Sequence, residues 1–172
     1  MGLNALYANT TGNYNTANGY AALYSNTTGN SNSAMGINTL YYNVSATSST
    51  AIGFRAGQGT ASYNAGELTL VGTDALYSIT TGAENVTALG YRAGYANTSG
   101  ANNIYLGYQA GDNVTTGSNN IILGYDIDAP AVDSSNILNI GNLIFGTGID
   151  GTGTTLSTGN VGIGTTSPGA TL

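Results

Sequence analysis

Apolar residues along this chain recur in short runs, each closed by a glycine: "TANG" at 16–19, "SAMG" at 33–36, "TAIG" at 50–53, "TLVG" at 69–72, "TALG" at 87–90, "IYLG" at 104–107, "IILG" at 121–124 and "LNIG" at 138–141. Alignment on that glycine gives Gly2, Gly19, Gly36, Gly53, Gly72, Gly90, Gly107, Gly124 and Gly141, at spacings of 17, 17, 17, 19, 18, 17, 17 and 17. The two longer intervals flank "GQGTASYNAGELTLVG", a small insertion that bulges a unit without losing register. A period of this kind is the signature of a repeat architecture. A second glycine falls ten residues after the first in Gly12, Gly29, Gly82, Gly100 and Gly117, with Ala46 and Ser134 replacing it in two units, and an asparagine often follows three residues later. Two turn points per unit leave room for two short strands. No apolar spacing of 3.6 persists, and Asn, Thr, Ser and Gly dominate, so helices are a poor alternative.

The faces of the predicted strand come next. Directly before the aligned glycine stand Met1, Asn18, Met35, Ile52, Val71, Leu89, Leu106, Leu123 and Ile140, and the row Met35 to Ile140 is expected to face a core. The intervening row of Ala17, Ala34, Ala51, Leu70, Ala88, Tyr105, Ile122 and Asn139 is almost as apolar. A strand apolar on both faces is covered on both. One face looks into its own coil and the other requires a partner chain. A coil this thin holds few interior side chains, which makes association around a common axis the simplest remedy. The expected fold is therefore all-β, a parallel β-roll or β-solenoid of coils about 17 residues long, homotrimeric. The repeat array runs over 1–141, and 142–172 forms a Gly/Thr-rich neck or linker. Because Met1 occupies the slot of Met35, the array starts in mid-repeat without a cap, and the expectation is more protein upstream, a trimmed chain or a neighbour stacked end to end.

Composition narrows the chemistry. Charged residues are 6% of the 172, Lys is absent, and two arginines, Arg55 and Arg92, face eight acidic residues for a net charge of −6. Such a surface lacks the cations that nucleic-acid binding uses, and no apolar run is long enough for membrane insertion. With neither Cys nor His there is no thiolate nucleophile, imidazole base, disulfide or ordinary zinc site, and no cofactor is expected. Two tyrosine stripes follow the glycine. One holds Tyr20, Tyr91, Tyr108 and Tyr125, with Leu3, Ile37 and Phe54 in the same slot; the other holds Tyr7, Tyr24, Tyr41, Tyr77 and Tyr95. Exchange with Leu, Ile and Phe argues for packing, while a tyrosine ladder is also a surface for glycan contact. Arg55 and Arg92 are expected to pair with acids or carbonyls of neighbouring coils. Asp126 and Asp128 in "GYDIDAPAVD", with Asp133 nearby, read as a solvated turn, and no catalytic or metal role is assigned to them. Asn9, Asn26, Asn43, Asn85, Asn97 and Asn113 head N-x-[ST] sequons, four of them seven residues after the glycine at a turn expected to be exposed.

The shared phrases "NTAxGYxALYSNTTG" and "NNIxLGYxAG", with "NNIYLG" and "STAIGFRAG", resemble the head repeats of YadA-like trimeric autotransporter adhesins over residues 1 to about 141. That resemblance implies a parallel β-roll in which three chains coil side by side, although the period here is longer than is usual in those heads. The segment "GNVGIGTTSPGATL" at 159–172 is similar to the stretch that precedes a C-terminal intramolecular chaperone domain in phage tail fibres. The expectation is a non-enzymatic structural or adhesive segment of a trimeric fibre, located extracellularly, on a cell surface or on a virion. Its expected partners are its own copies and a host surface glycan or receptor. The alternatives are a subunit stacked end to end into a filament, and a β-solenoid polysaccharide depolymerase using Asp126, Asp128 or Glu84.

Overall fold

The structure, a computed structural model, describes residues 2–169, so Met1 and the last three residues of the C-terminal segment lie outside the described residues. Ten three-residue strands form one sheet in sequence order. They are β1 (Thr16–Asn18), β2 (Ser33–Met35), β3 (Thr50–Ile52), β4 (Thr69–Val71), β5 (Thr87–Leu89), β6 (Ile104–Leu106), β7 (Ile121–Leu123), β8 (Leu138–Ile140), β9 (Ile144–Gly146) and β10 (Val161–Ile163). From β1 to β8 every pairing is parallel and joins equivalent residues one coil apart, so that Ala17 lies opposite Ala34, Ala34 opposite Ala51 and Tyr105 opposite Ile122. The chain is thus a β-solenoid whose coil length is the repeat read from the glycines. The parallel order ends at β8: Gly141 and Asn142 turn the chain back through positive φ, and β9 pairs antiparallel with both β8 and β10.

Each coil carries one strand rather than the two expected. The rest of the coil contains repeated left-handed residues, which cannot extend into a strand. In the third coil, for instance, Asn38, Leu40 and Ser48 have φ of 54°, 51° and 57°. The turns still stack: Leu23 N–H donates to Thr39 O, Leu40 N–H to Ala56 O and Leu76 N–H to Ala93 O, while Asn38 N–H donates the other way to Tyr20 O. A leucine in this region costs about 1–2 kcal/mol. Leu23, Leu40 and Leu76 are nevertheless fully buried there, and burial of a leucine returns a comparable amount, about 1.5–3 kcal/mol.

The aligned glycines are fixed by backbone contact. Gly19, Gly36, Gly53, Gly72, Gly90 and Gly107 have φ between 132° and 144°, and a Cβ on any of them would overlap the carbonyl of the aligned glycine in the next coil. The column stops at Gly141, where nothing lies within contact of an added Cβ.

The strand faces are inverted relative to expectation. Ala17, Ala34, Ala51, Leu70, Ala88, Tyr105 and Ile122 point inward and are buried. The row expected to face a core lies outside the coil: Met35 is 51% exposed, Ile52 42%, Val71 40%, Leu106 44% and Ile140 36%, with Leu89 and Leu123 partly exposed. The reason is space, because stacked coils this narrow accept little more than alanine on most inward strand positions. Where a larger residue points inward, a glycine makes room. The Tyr105 ring occupies the volume that a Cβ on Gly94 or Gly111 would need, and those glycines stand in the slot that Leu23 and Leu40 fill elsewhere. In the insertion, Tyr63 is likewise buried, donates its hydroxyl to Gly57 O, and pairs through a parallel bridge with Asn43.

Gly94→Ala is expected to destabilise the chain by roughly 1–3 kcal/mol through overpacking and a disfavoured φ. Part of that loss is recovered when Tyr105→Leu is added, a coupling that urea denaturation of both single variants and the double variant measures.

Candidate functional site

The sequon asparagines are structural. Asn26, Asn43 and Asn97 are buried completely at the turn expected to be exposed. Asn97 Nδ2 donates to Gly100 O and to the Tyr105 hydroxyl, and Asn97 Oδ1 accepts from Gly100 N–H. Asn26 Nδ2 reaches Gly29 O and Asn9 Oδ1, and Asn43 Oδ1 accepts from Ala46 N–H. The Asn-to-Gly spacing of three is therefore a side-chain clasp across one corner of the coil, repeated up the stack. Asn85 is the exposed member, and its Nδ2 donates to Asn102 Oδ1. A second inner ladder comes from Asn15, Asn32, Asn103 and Asn120. Each side-chain oxygen accepts a backbone N–H of the next coil, and each amide nitrogen donates to a carbonyl there.

Outside, the tyrosine stripes are stacks. Tyr7, Tyr24 and Tyr41 lie 5.0 and 4.8 Å apart with interplanar angles of 3° and 1°. Tyr77 and Tyr95 lie 5.2 Å apart, and Tyr91, Tyr108 and Tyr125 follow at 5.2 and 5.0 Å. The second stripe is interrupted by Gln58, the residue of the fourth coil in the tyrosine slot. Arginines cover the rings beyond that break: the Arg55 guanidinium lies 4.9 Å from the Tyr77 ring centre, and that of Arg92 lies 4.4 Å from Tyr95. Arg55 also makes the expected ion pair, bidentate to Asp74 at 2.7 and 2.8 Å, which raises its pKa further. Among the described residues Arg92 makes no salt bridge, and its Nε is buried without a partner there.

Of the carboxylates that the sequence singles out, Glu84 stands apart from Asp126 and Asp128. Asp126, Asp128 and Asp133 are exposed around the turn after β7, whereas Glu84 stands before β5, near Glu67, on another part of the coil. Among the described residues no group of three acidic, His or Cys side chains is placed to hold a metal ion. Asp128 has its pKa raised, first by desolvation and then by repulsion from Asp112, with a smaller push from Asp126. No helix is long and apolar enough to cross a membrane among the described residues.

No family model, no characterised protein and no solved structure matches the chain. The features that sequence reasoning missed are the inward asparagines and the break at Gln58. The first had a signal in the fixed three-residue interval to the following glycine, and the second in the one amide standing in a tyrosine column.

Two outcomes check this account. Asn97→Ala should cost about 3 kcal/mol or more, because it strands buried groups of Gly100 and Tyr105, while Asn85→Ala stays within about 0.5 kcal/mol; thermal denaturation distinguishes them. Asp128 is the second case. A carboxyl whose folded pKa stands above its ordinary 3.8 retains a proton that the unfolded chain has released. Between those two values stability falls as pH rises, and the penalty is complete at neutral pH. Asp128→Asn is thus expected to raise the denaturation midpoint at neutral pH and to leave it unchanged well below pH 3.8.

Proposed function

We propose that the chain is a structural and adhesive segment of an extracellular homotrimeric fibre, of the kind found in phage tail fibres or cell-surface adhesins. The observation that carries this reading is the outer apolar stripe. Met35, Ile52, Val71, Leu89, Leu106, Leu123 and Ile140 run in line along the sheet, with Ile104 and Ile121 beside them toward the C-terminus. Ile37, Phe54, Tyr91 and Tyr108 continue it laterally, each 41–48% exposed. A continuous aliphatic stripe on a chain this polar marks an interaction surface. Its natural partner is the same stripe on another copy, because both run at one residue per coil and interlock in register. Closed rotational symmetry satisfies every copy without open-ended growth. Three copies is the number implied by the resemblance to YadA-like heads. The rod so formed supplies reach and stiffness, and each copy presents its turns and the tyrosine column of Tyr7, Tyr24, Tyr41, Tyr77 and Tyr95 to the surroundings, so weak contacts act together.

End-to-end stacking into a filament is less favoured, because the parallel ladder stops at β8 and the antiparallel β9 and β10 follow it in the sheet. A depolymerase reading is less favoured, because its candidate carboxylates are split: Asp126 and Asp128 lie after β7, whereas Glu84, before β5, lines a groove with Glu67.

Light scattering is expected to give three times 17.2 kDa at micromolar concentration. Val71→Asp combined with Leu106→Asp is expected to reduce the particle to one chain while preserving its β-sheet circular dichroism. A parent chain that stays at 17.2 kDa at every concentration overturns the reading.

A further inference from the structure

The first four coils carry an open groove of about 370 Å³ beside the tyrosine stack, bounded by Tyr20, Tyr24, Tyr41, Tyr42, Asn38 and Gln58. Its existence follows from the slot two residues after the aligned glycine. In successive coils that slot holds Asn4, Ala21, Asn38, Arg55, Asp74 and Arg92. From Arg55 onward the long guanidinium side chains lie on Tyr77 and Tyr95 and occupy this space. The earlier residues are short and neutral, so the space stays empty.

Three properties of the groove point to one chemistry. No charged side chain lines it, so an anion or cation has no counter-charge there. It is rich in hydroxyls: the pKa of Tyr41 is raised first by burial and then by Tyr24, Tyr42 and Tyr20, which fits phenols gathered at one place. Finally, Asn38 Oδ1 and Gln58 Oε1 are shut off from solvent and have no hydrogen-bond partner, although both residues line the groove. Buried acceptors without donors are uncommon in folded chains. A small turn of either amide brings its oxygen to an incoming hydroxyl. Tyr20, 49% exposed, is flanked in its own column by Leu3 and Ile37 rather than by stacked rings, which leaves it free to pack against a flat apolar surface.

We infer that this groove is a saccharide subsite for a neutral pyranose within a glycan, whose C–H face packs on Tyr20 and whose hydroxyls donate to Asn38 Oδ1 and Gln58 Oε1. The tyrosine hydroxyls of Tyr24, Tyr41 and Tyr42 complete the polar wall. Single-site affinity is weak, and three copies on a rod would raise it. The inference rests on the adhesive half of the proposed function and gives it a location and a ligand class.

The test uses the full chain on immobilised neutral oligosaccharides of hexoses and N-acetylhexosamines, with sialylated and sulfated glycans as separate arms. Retention on at least one neutral glycan is expected. Tyr20→Ala and Gln58→Ala should each weaken it about tenfold or more, and the double variant Tyr24→Phe with Tyr42→Phe, which keeps both rings, should weaken it measurably. Tyr77→Ala lies outside the groove and should leave retention unchanged. Failure to bind any neutral glycan, binding confined to the acidic arms, or retention indifferent to Tyr20 and Gln58 overturns the inference. Light scattering on the same samples separates this from the fibre reading. A trimer that retains no neutral glycan sinks the subsite alone, whereas a 17.2 kDa single chain that retains one through Tyr20 and Gln58 supports the subsite and sinks the association.

Discussion

The whole molecule depends on one contact, the seating of each coil's backbone directly on the next at the glycine column. A side chain at Gly19, Gly36 or Gly53 would occupy the position of the following coil's carbonyl, so the stack closes only where that residue is glycine. Once the coils are held in register, every slot meets its own counterpart one coil away. Like must therefore tolerate like. Asn stacks on Asn, Tyr on Tyr, and Thr27, Thr98 and Thr115 each donate a hydroxyl to a carbonyl of the next coil. A charged residue repeated in such a slot would face its own sign at strand spacing, which is destabilising. The scarcity of charge in this chain follows from that geometry. The one ion pair among the described residues obeys the same rule: Arg55 and Asp74 occupy the same slot in adjacent coils, where alternation of sign turns repulsion into a bidentate bond.

The register also explains why this polar chain has a polar interior. Asn32, Asn103 and Asn120 are buried, yet their amides bond to the adjoining coils in the same pattern each time. A buried amide is costly only when it is left unpaired. The ladder resolves this by repetition, since the partner each coil needs is supplied by its neighbour. Breaks in the ladder at Leu68 and Val86, where apolar residues take the slot, coincide with the insertion and the larger inward residues around it.

Period, register and strand position were readable in the sequence, because glycine spacing and the short apolar runs report directly on the stacking contact. The assignment of inside and outside was not. Hydrophobicity points to Ile52 as interior and Ala51 as filler, but Ala51 is fully buried and Ile52 lies 42% exposed. In a globular core the larger aliphatic residue would win the interior. Here the cross-section of the coil decides, and apolar periodicity carries no information on cross-section. The same limit hid the role of the sequon asparagines, whose burial follows from left-handed turns at non-glycine residues such as Leu23 and Leu40 that local propensity disfavours. The groove beside Tyr41 was out of reach for another reason: it is defined by what is missing from a column, an arginine or a ring, and only coordinates show that space.

That inversion has an energetic consequence. A residue on the inward face supplies mostly the small apolar area of an alanine, and on the coil corners the leucines spend part of their burial on left-handed backbone. Leu70 and Ile122 apart, the larger aliphatic side chains of the strands, such as Ile52, Leu89, Leu106 and Leu123, stand instead on the outer face, where a lone chain leaves them partly in water. The greatest unspent store of hydrophobic free energy in the fold is therefore external and arranged at one residue per coil. A surface with the same spacing would cover it along its length, which is the contact that the proposed assembly of copies makes. The narrow coil that favours small residues inward is thus also what leaves the aliphatic stripe outside, and the proposed association rests on that stripe.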